Sequence, residues 1–209
     1  MEPVRLDVPA YIIDYALNKY EKLRPLHGRR SGIPDAEGVG KGQGDFLDFV
    51  ATDVLFDFFR DKGKQVASLL VSGRGDDGVD MQVWEKATER ALTINVKTSN
   101  THMRSGLHLI IKGEELKKKH PELYIQCIMR VGRIDPDKPR VLIPSLDRDM
   151  RPEPPHLYVL GWVRRGSPEW ETGVRGEIPN TGDKHPGFQI EDKDLRDLPE
   201  LVGLLSNSL

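Results

Sequence analysis

The sequence predicts an α/β domain, and three observations carry that reading. Helix-spaced apolar stripes fill the N-terminal quarter, strand-like alternation fills the middle, and the 209-residue length suits a single domain with a decorated edge. A chain of that size buries roughly 70% of its unfolded surface, so it builds a core without staples. Residues 1–44 read as an N-terminal helix and a basic Gly/Pro loop, 45–164 as the core, and 165–209 as a loop with a closing segment. Hydrophobic residues at 37% and charged residues at 31% exclude collagen, a coiled coil and full disorder.

The first helix is expected over residues 9–24. Pro9 suits its start, and Tyr11, Ile12, Tyr15, Ala16 and Tyr20 follow helical spacing. Pro25 to Gly44 reads as a long loop carrying His27, Arg29, Arg30 and Lys41, long enough to be functional. A second helix is expected from Asp45 to Lys62, where Phe46, Phe49, Val50, Val54, Phe58 and Phe59 form a broad apolar face. Gly63 stops it.

Strands follow. Gln65–Val71 is one, and Val79–Trp84 with Leu92–Lys97 reads as a hairpin around the charged loop Glu85–Arg90. Period-two alternation puts Leu92, Ile94 and Val96 on one face of the second strand and Thr93, Asn95 and Lys97 on the other. Asp80 falls on the matching polar face of the first strand. Apolar Leu107–Ile111, a short helix Glu114–His120, and strands Leu123–Val131, Val141–Ile143 and Leu157–Val163 come next. Residues 165–188 read mostly as loop, and the tail as a strand end and a short helix.

Charge and motifs remove several function classes. With 31 basic against 33 acidic residues, the net charge of −2 argues against a nonspecific polycation while leaving room for a local basic track. No stretch reaches the ~18 apolar residues of a membrane helix, and the N-terminus lacks the apolar run of a signal peptide, so a cytoplasmic protein without membrane partners is expected. The lone Cys127 lies in an apolar run and reads as core. Gly38-Val-Gly-Lys-Gly42 fails as a phosphate loop, because Asp35 occupies the first glycine position and Gly42 replaces the magnesium-binding hydroxyl. The six histidines show no paired zinc spacing, and no Gly-x-Ser-x-Gly is present.

What remains is Asp76-Asp-Gly-Val-Asp80 followed by Asn95-Val-Lys97 on the neighbouring strand. An acid on one strand and an x-Lys pair on the next resembles the PD-(D/E)xK, or restriction-endonuclease-like, nuclease superfamily. Gly44-Asp45 is similar to the Gly-Glu of that family's first helix, Gly78-Val-Asp80 to its metal-binding turn, and Ile94–Thr98 to its active-site strand. Strands 124–131 and 158–163 resemble its closing sheet, and the tail Asp194-Leu-Arg-Asp-Leu-Pro-Glu-Leu201 resembles small phage and restriction-type members. The resemblance implies a central mixed sheet with helices on both sides and a nuclease that hydrolyses DNA with Mg2+ (or Mn2+). It also implies a homodimer, since small members often pair to cut two strands.

The chemistry explains the residue types. Phosphodiester oxygens repel a nucleophile, and a hard dication offsets that charge and acidifies a bound water. Magnesium takes oxygen ligands, so the resemblance implies Asp80, the Val96 carbonyl, the residue at 95 and the helix acid Asp45 (with Asp48 as its alternative) around it. Lys97 would orient the water and offset transition-state charge. Asn95 departs from the pattern, standing where the family has Asp or Glu. That substitution is compatible with weak activity, with reliance on another acid such as Asp77, or with a nucleic-acid-binding or structural protein that keeps the fold. Nucleic-acid contacts are expected from Arg29, Arg30, Lys41, Thr98 and Ser99, beside Asn100.

Overall fold

The computed structural model describes residues 2–27, 40–69, 79–99, 108–118, 120–135, 138, 140–147, 149–177 and 186–208. The chain opens with β1 (Val4–Asp7), α1 (Ala10–His27) and α2 (Gly40–Asp61). A meander of β2 (Val66–Ser68), β3 (Met81–Trp84) and β4 (Ala91–Ser99) leads into β5 (His108–Lys112), α3 (Gly113–Lys118) and β6 (Leu123–Arg130). The remainder is β7 (Arg133–Ile134), β8 (Leu142–Ile143), β9 (His156–Arg164), α4 (Pro168–Glu171), β10 (Val174–Glu177), β11 (Pro186–Glu191) and α5 (Leu198–Leu204).

Six strands form a mixed central sheet in the order β1-β9-β6-β4-β3-β2. The β4–β6 pair is parallel and the other pairs are antiparallel. A parallel neighbour needs a crossover, and the chain between β4 and β6 supplies one that contains β5 and α3. α1 and α2 cover one face of the sheet. There Ile12, Ala16, Phe46, Val50, Leu55 and Phe59 meet Ile94, Val96, Ile125, Cys127 and Trp162 in one buried cluster, joined by Leu198 and Leu201 of α5. This is the broad apolar stripe of the second helix at work, since a helix buried along most of its length needs apolar residues on more than one side.

The opposite face carries a smaller sheet in place of a second helical layer. β10, β11 and β5 pair antiparallel, and their Leu109, Ile111, Phe188 and Ile190 bury against Tyr124, Ile128, Leu160 and Val163 of the central sheet. Trp170 of α4 stands at the seam, stacked on Phe188 at 4.3 Å and on Tyr124 at 5.5 Å between ring centroids. Gly173 admits the Phe188 ring, because a Cβ there would lie 2.1 Å from the ring's Cζ.

Three expectations change. α1 runs on to His27 and α2 begins at Gly40, so Asp45 lies inside the helix and does not open it. The glycines there weaken local propensity, but burial of Phe46, Leu47 and Val50 outweighs roughly 1 kcal/mol per glycine. Within 165–188, expected as loop, lie α4, β10 and the start of β11. Ser167 caps α4 by accepting from the Trp170 N–H, and Pro168 follows as its first residue. In β10–β11, Gly176 faces Gly187, so the ladder has no side-chain alternation to read there.

Candidate functional site

Asp80 sits one residue before β3, where its N–H donates to the Ile94 carbonyl at 2.8 Å and its carbonyl accepts from Leu69 N–H at 3.0 Å. The side chain is buried. Its Oδ2 accepts the Val96 backbone N–H at 2.6 Å and the Asn95 side-chain Nδ2 at 3.2 Å. The β3–β4 register begins at Met81 opposite Ile94, so Val96 lies past the last ladder pair. The Asp80 carboxylate thus takes the place of the missing strand acceptor for Val96, satisfying a donor that burial would make costly. An ionised acceptor also makes the stronger bond.

Asn95 is buried beside Asp80, and Lys97 follows two residues on, on the same face of β4. Lys97 Nζ is paired with Glu115 Oε1 on α3, both side chains mostly buried. Glu115 is the functional candidate that sequence reading missed. At the start of a short helix it is indistinguishable from a dipole-stabilising acid, and only the fold of β5 and α3 over the sheet brings it to Lys97. Across the parallel ladder Asn95 faces Tyr124 and Lys97 faces Gln126, both fully enclosed. Among the described residues the Tyr124 hydroxyl has no hydrogen-bond partner. Burial pushes its pKa up to about 12, with Arg165 opposing and Glu115 adding to the shift.

The other expected residues distribute as follows. Val96 turns its side chain into the helix-facing core while its N–H meets Asp80. Thr98 shares the Val96 face by alternation and is half-buried, whereas Ser99 is exposed on the Lys97 face. Lys41 and Asp45 fall within α2, but their side chains lie outside the described residues, as do Arg29, Arg30, Asp76, Asp77 and Asn100. Asp48 reaches the Cys127 thiol electrostatically, adding to the burial that pushes that thiol up. Cys127 belongs to the helix-facing cluster, so Asp48 lies on the side of the sheet away from Asn95 and Lys97.

Asp80, Asn95 and the Val96 carbonyl make an all-oxygen donor set, the type a hard dication takes. Among the described residues no group of three or more His, Cys, Asp and Glu side chains is placed to hold a metal ion. One carboxylate plus an amide is therefore a charge-poor set, and the adjoining Lys97–Glu115 pair holds the next negative charge. No helix of the described residues is long and apolar enough to cross a membrane. The chain matches no protein-family model and no curated protein.

Proposed function

We propose that this protein is a divalent-metal-dependent nuclease that hydrolyses DNA phosphodiester bonds at a PD-(D/E)xK-like site. The observation that carries the reading is the convergence of Asp80 and Asn95, side chain to side chain at 3.2 Å, with Lys97 next along the same face. Three polar groups buried or half-buried on one face of the sheet are costly to maintain without a task. The succession of α2, the β2–β4 meander, α3 and β6 supports it too, because it gathers the segments that resemble the family into adjoining elements.

In this reading Asp80, Asn95 and the Val96 carbonyl hold Mg2+ or Mn2+, which would supply charge neutralisation at the scissile phosphate and a water acidified for attack. Lys97 orients that water and offsets charge in the transition state. The deciding experiment is digestion of plasmid and single-stranded DNA with Mg2+, Mn2+ or EDTA. Metal-dependent cleavage by the wild type, abolished in Lys97→Ala that still binds metal, is the expected result.

A second reading rests on the Asp80 hydrogen bonds. One of its carboxylate oxygens already serves the strand, and position 95 carries no charge. That suits a catalytically weakened nucleic-acid-binding or structural protein, and DNA binding without cleavage under any metal would select it.

A further inference from the structure

The Lys97–Glu115 pair stands immediately beside the Asp80–Asn95 contact, on the same face of β4, and both of its side chains are mostly shielded from solvent. A lysine poised to act on a water is blunted while a carboxylate holds it, and Glu115 reaches it from a different element. Tyr124, opposite Asn95 in the ladder, is fully buried, and among the described residues its hydroxyl has no hydrogen-bond partner. A buried hydroxyl left unmatched costs roughly 1–3 kcal/mol, a cost that a water or a bound species removes. The charge count points the same way. Asp80 with Asn95 gives one negative charge where a dication favours two, and Glu115 is a described carboxylate held against Lys97 on that face.

We infer that Glu115 is the second carboxylate of the metal site, taking the role that Asn95 cannot, and that a bound divalent cation draws it away from Lys97. The inference rests on the nuclease-site reading and deepens it. It assigns to α3 a metal-binding duty, and it makes the metal the agent that frees the lysine. Without metal, lysine and glutamate neutralise one another. With metal, the dication would be the stronger partner for the carboxylate, leaving the Lys97 ammonium available to a substrate phosphate.

Two substitutions break the same ion pair with opposite consequences. Glu115→Gln removes a ligand, and Mn2+ affinity falls by at least about tenfold. Lys97→Met frees the carboxylate from its competitor and removes a repelling charge, and Mn2+ affinity rises. Calorimetric titration of the full chain with Mn2+ reads both, with circular dichroism confirming folding. The double variant Lys97→Met/Glu115→Gln lacks both the ligand and the repelling charge, and binds Mn2+ more tightly than Glu115→Gln but more weakly than Lys97→Met. A purely structural pair predicts equal loss of stability in both single variants and unchanged Mn2+ affinity, and that result overturns the inference. A wild type that binds no Mn2+ overturns the metal-site reading itself.

Discussion

Asn95 carries an amide where a second charge would strengthen a cation site, and its Nδ2 donates to Asp80 at 3.2 Å. Asn95→Asp replaces that attraction with carboxylate repulsion when no metal is present, and raises the pKa of one acid of the pair. With Mg2+ bound, the ion is the largest local charge and attraction wins. The expected outcome is a lower Tm in EDTA together with tighter Mg2+ binding by calorimetry. Asn95→Asp that binds no tighter than wild type removes Asn95 from the proposed metal site. Asp53 shows a second residue-scale effect. Burial on α2 raises its pKa from 3.8 to about 6, with Lys19 opposing and Asp57 adding. The folded state then holds a proton that the unfolded state has released between those values, so stability falls as pH rises from 3.8 to about 6. Asp53→Asn removes that penalty. Discounted for partial exposure it amounts to about 1 kcal/mol, which raises Tm by ~2–4 °C at pH 7.5 and leaves it unchanged near pH 3.5.

Among the elements, the β3–β4 hairpin is fastened at its turn by Glu85. This buried carboxylate accepts from the Thr88 hydroxyl at 2.7 Å and from Arg164 of β9 at 2.7 Å, and these bonds hold its pKa below the usual range. A depressed acid contributes stability above its unfolded pKa and loses it as pH falls through the folded value. Glu85→Ala is expected to cost about 2 kcal/mol at pH 7, and the difference from wild type should shrink in acid, as read by urea unfolding at both pH values. The same hairpin shows what was legible in sequence. Alternation in Leu92–Lys97 predicted its facing correctly, because one side meets a packed apolar layer and the other does not. It left β1 unnoticed, since four residues against an edge carry too little pattern, and β5 did not disclose that it joins a second sheet. Within the site, Asp80 and Asn95 were readable as strand neighbours. Glu115 was not, because its relation to Lys97 depends on how a crossover returns over the sheet, and no local spacing encodes that path.

At the scale of the molecule, the central sheet is dressed differently on its two faces. Helices α1, α2 and α5 close one side, whereas the other is shared between the small sheet and the polar row of Asn95 and Lys97. Polar groups on that second side can therefore change without opening the helix-facing core. The C-terminal residues draw distant elements together: Lys64 bridges to Asn207 and Glu85 to Leu205, while the Trp162 indole N–H donates to the Asp197 carbonyl at 2.9 Å.

The ladder between β6 and β9 holds one irregularity that reaches further than its size. Gln126 pairs with Gly161 and Cys127 with Val159, so Leu160 is an extra residue, next to Gly161 at φ 156°. The strand behaves like a reading frame with a single-letter insertion. Before it, Leu157 and Val159 face the helices; after it, Trp162 takes that side and Val163 the other. β1 pairs only with the stretch before the insertion, Val4 with Val159 and Leu6 with Leu157, and so inherits its frame. Deleting Leu160 would remove the extra residue and restore strict alternation, with Leu157, Val159 and Trp162 still on the helix side and Val163 on the other, so its cost is the lost Leu160 side chain and the reshaped backbone. Leu160→Ala merely leaves a space costing about 2–5 kcal/mol. Both variants are expected to unfold cooperatively at a lower Tm, because each loses the Leu160 side chain from the cluster under the small sheet, while the deletion keeps both halves of the strand in frame; loss of cooperative unfolding in the deletion variant alone overturns that expectation.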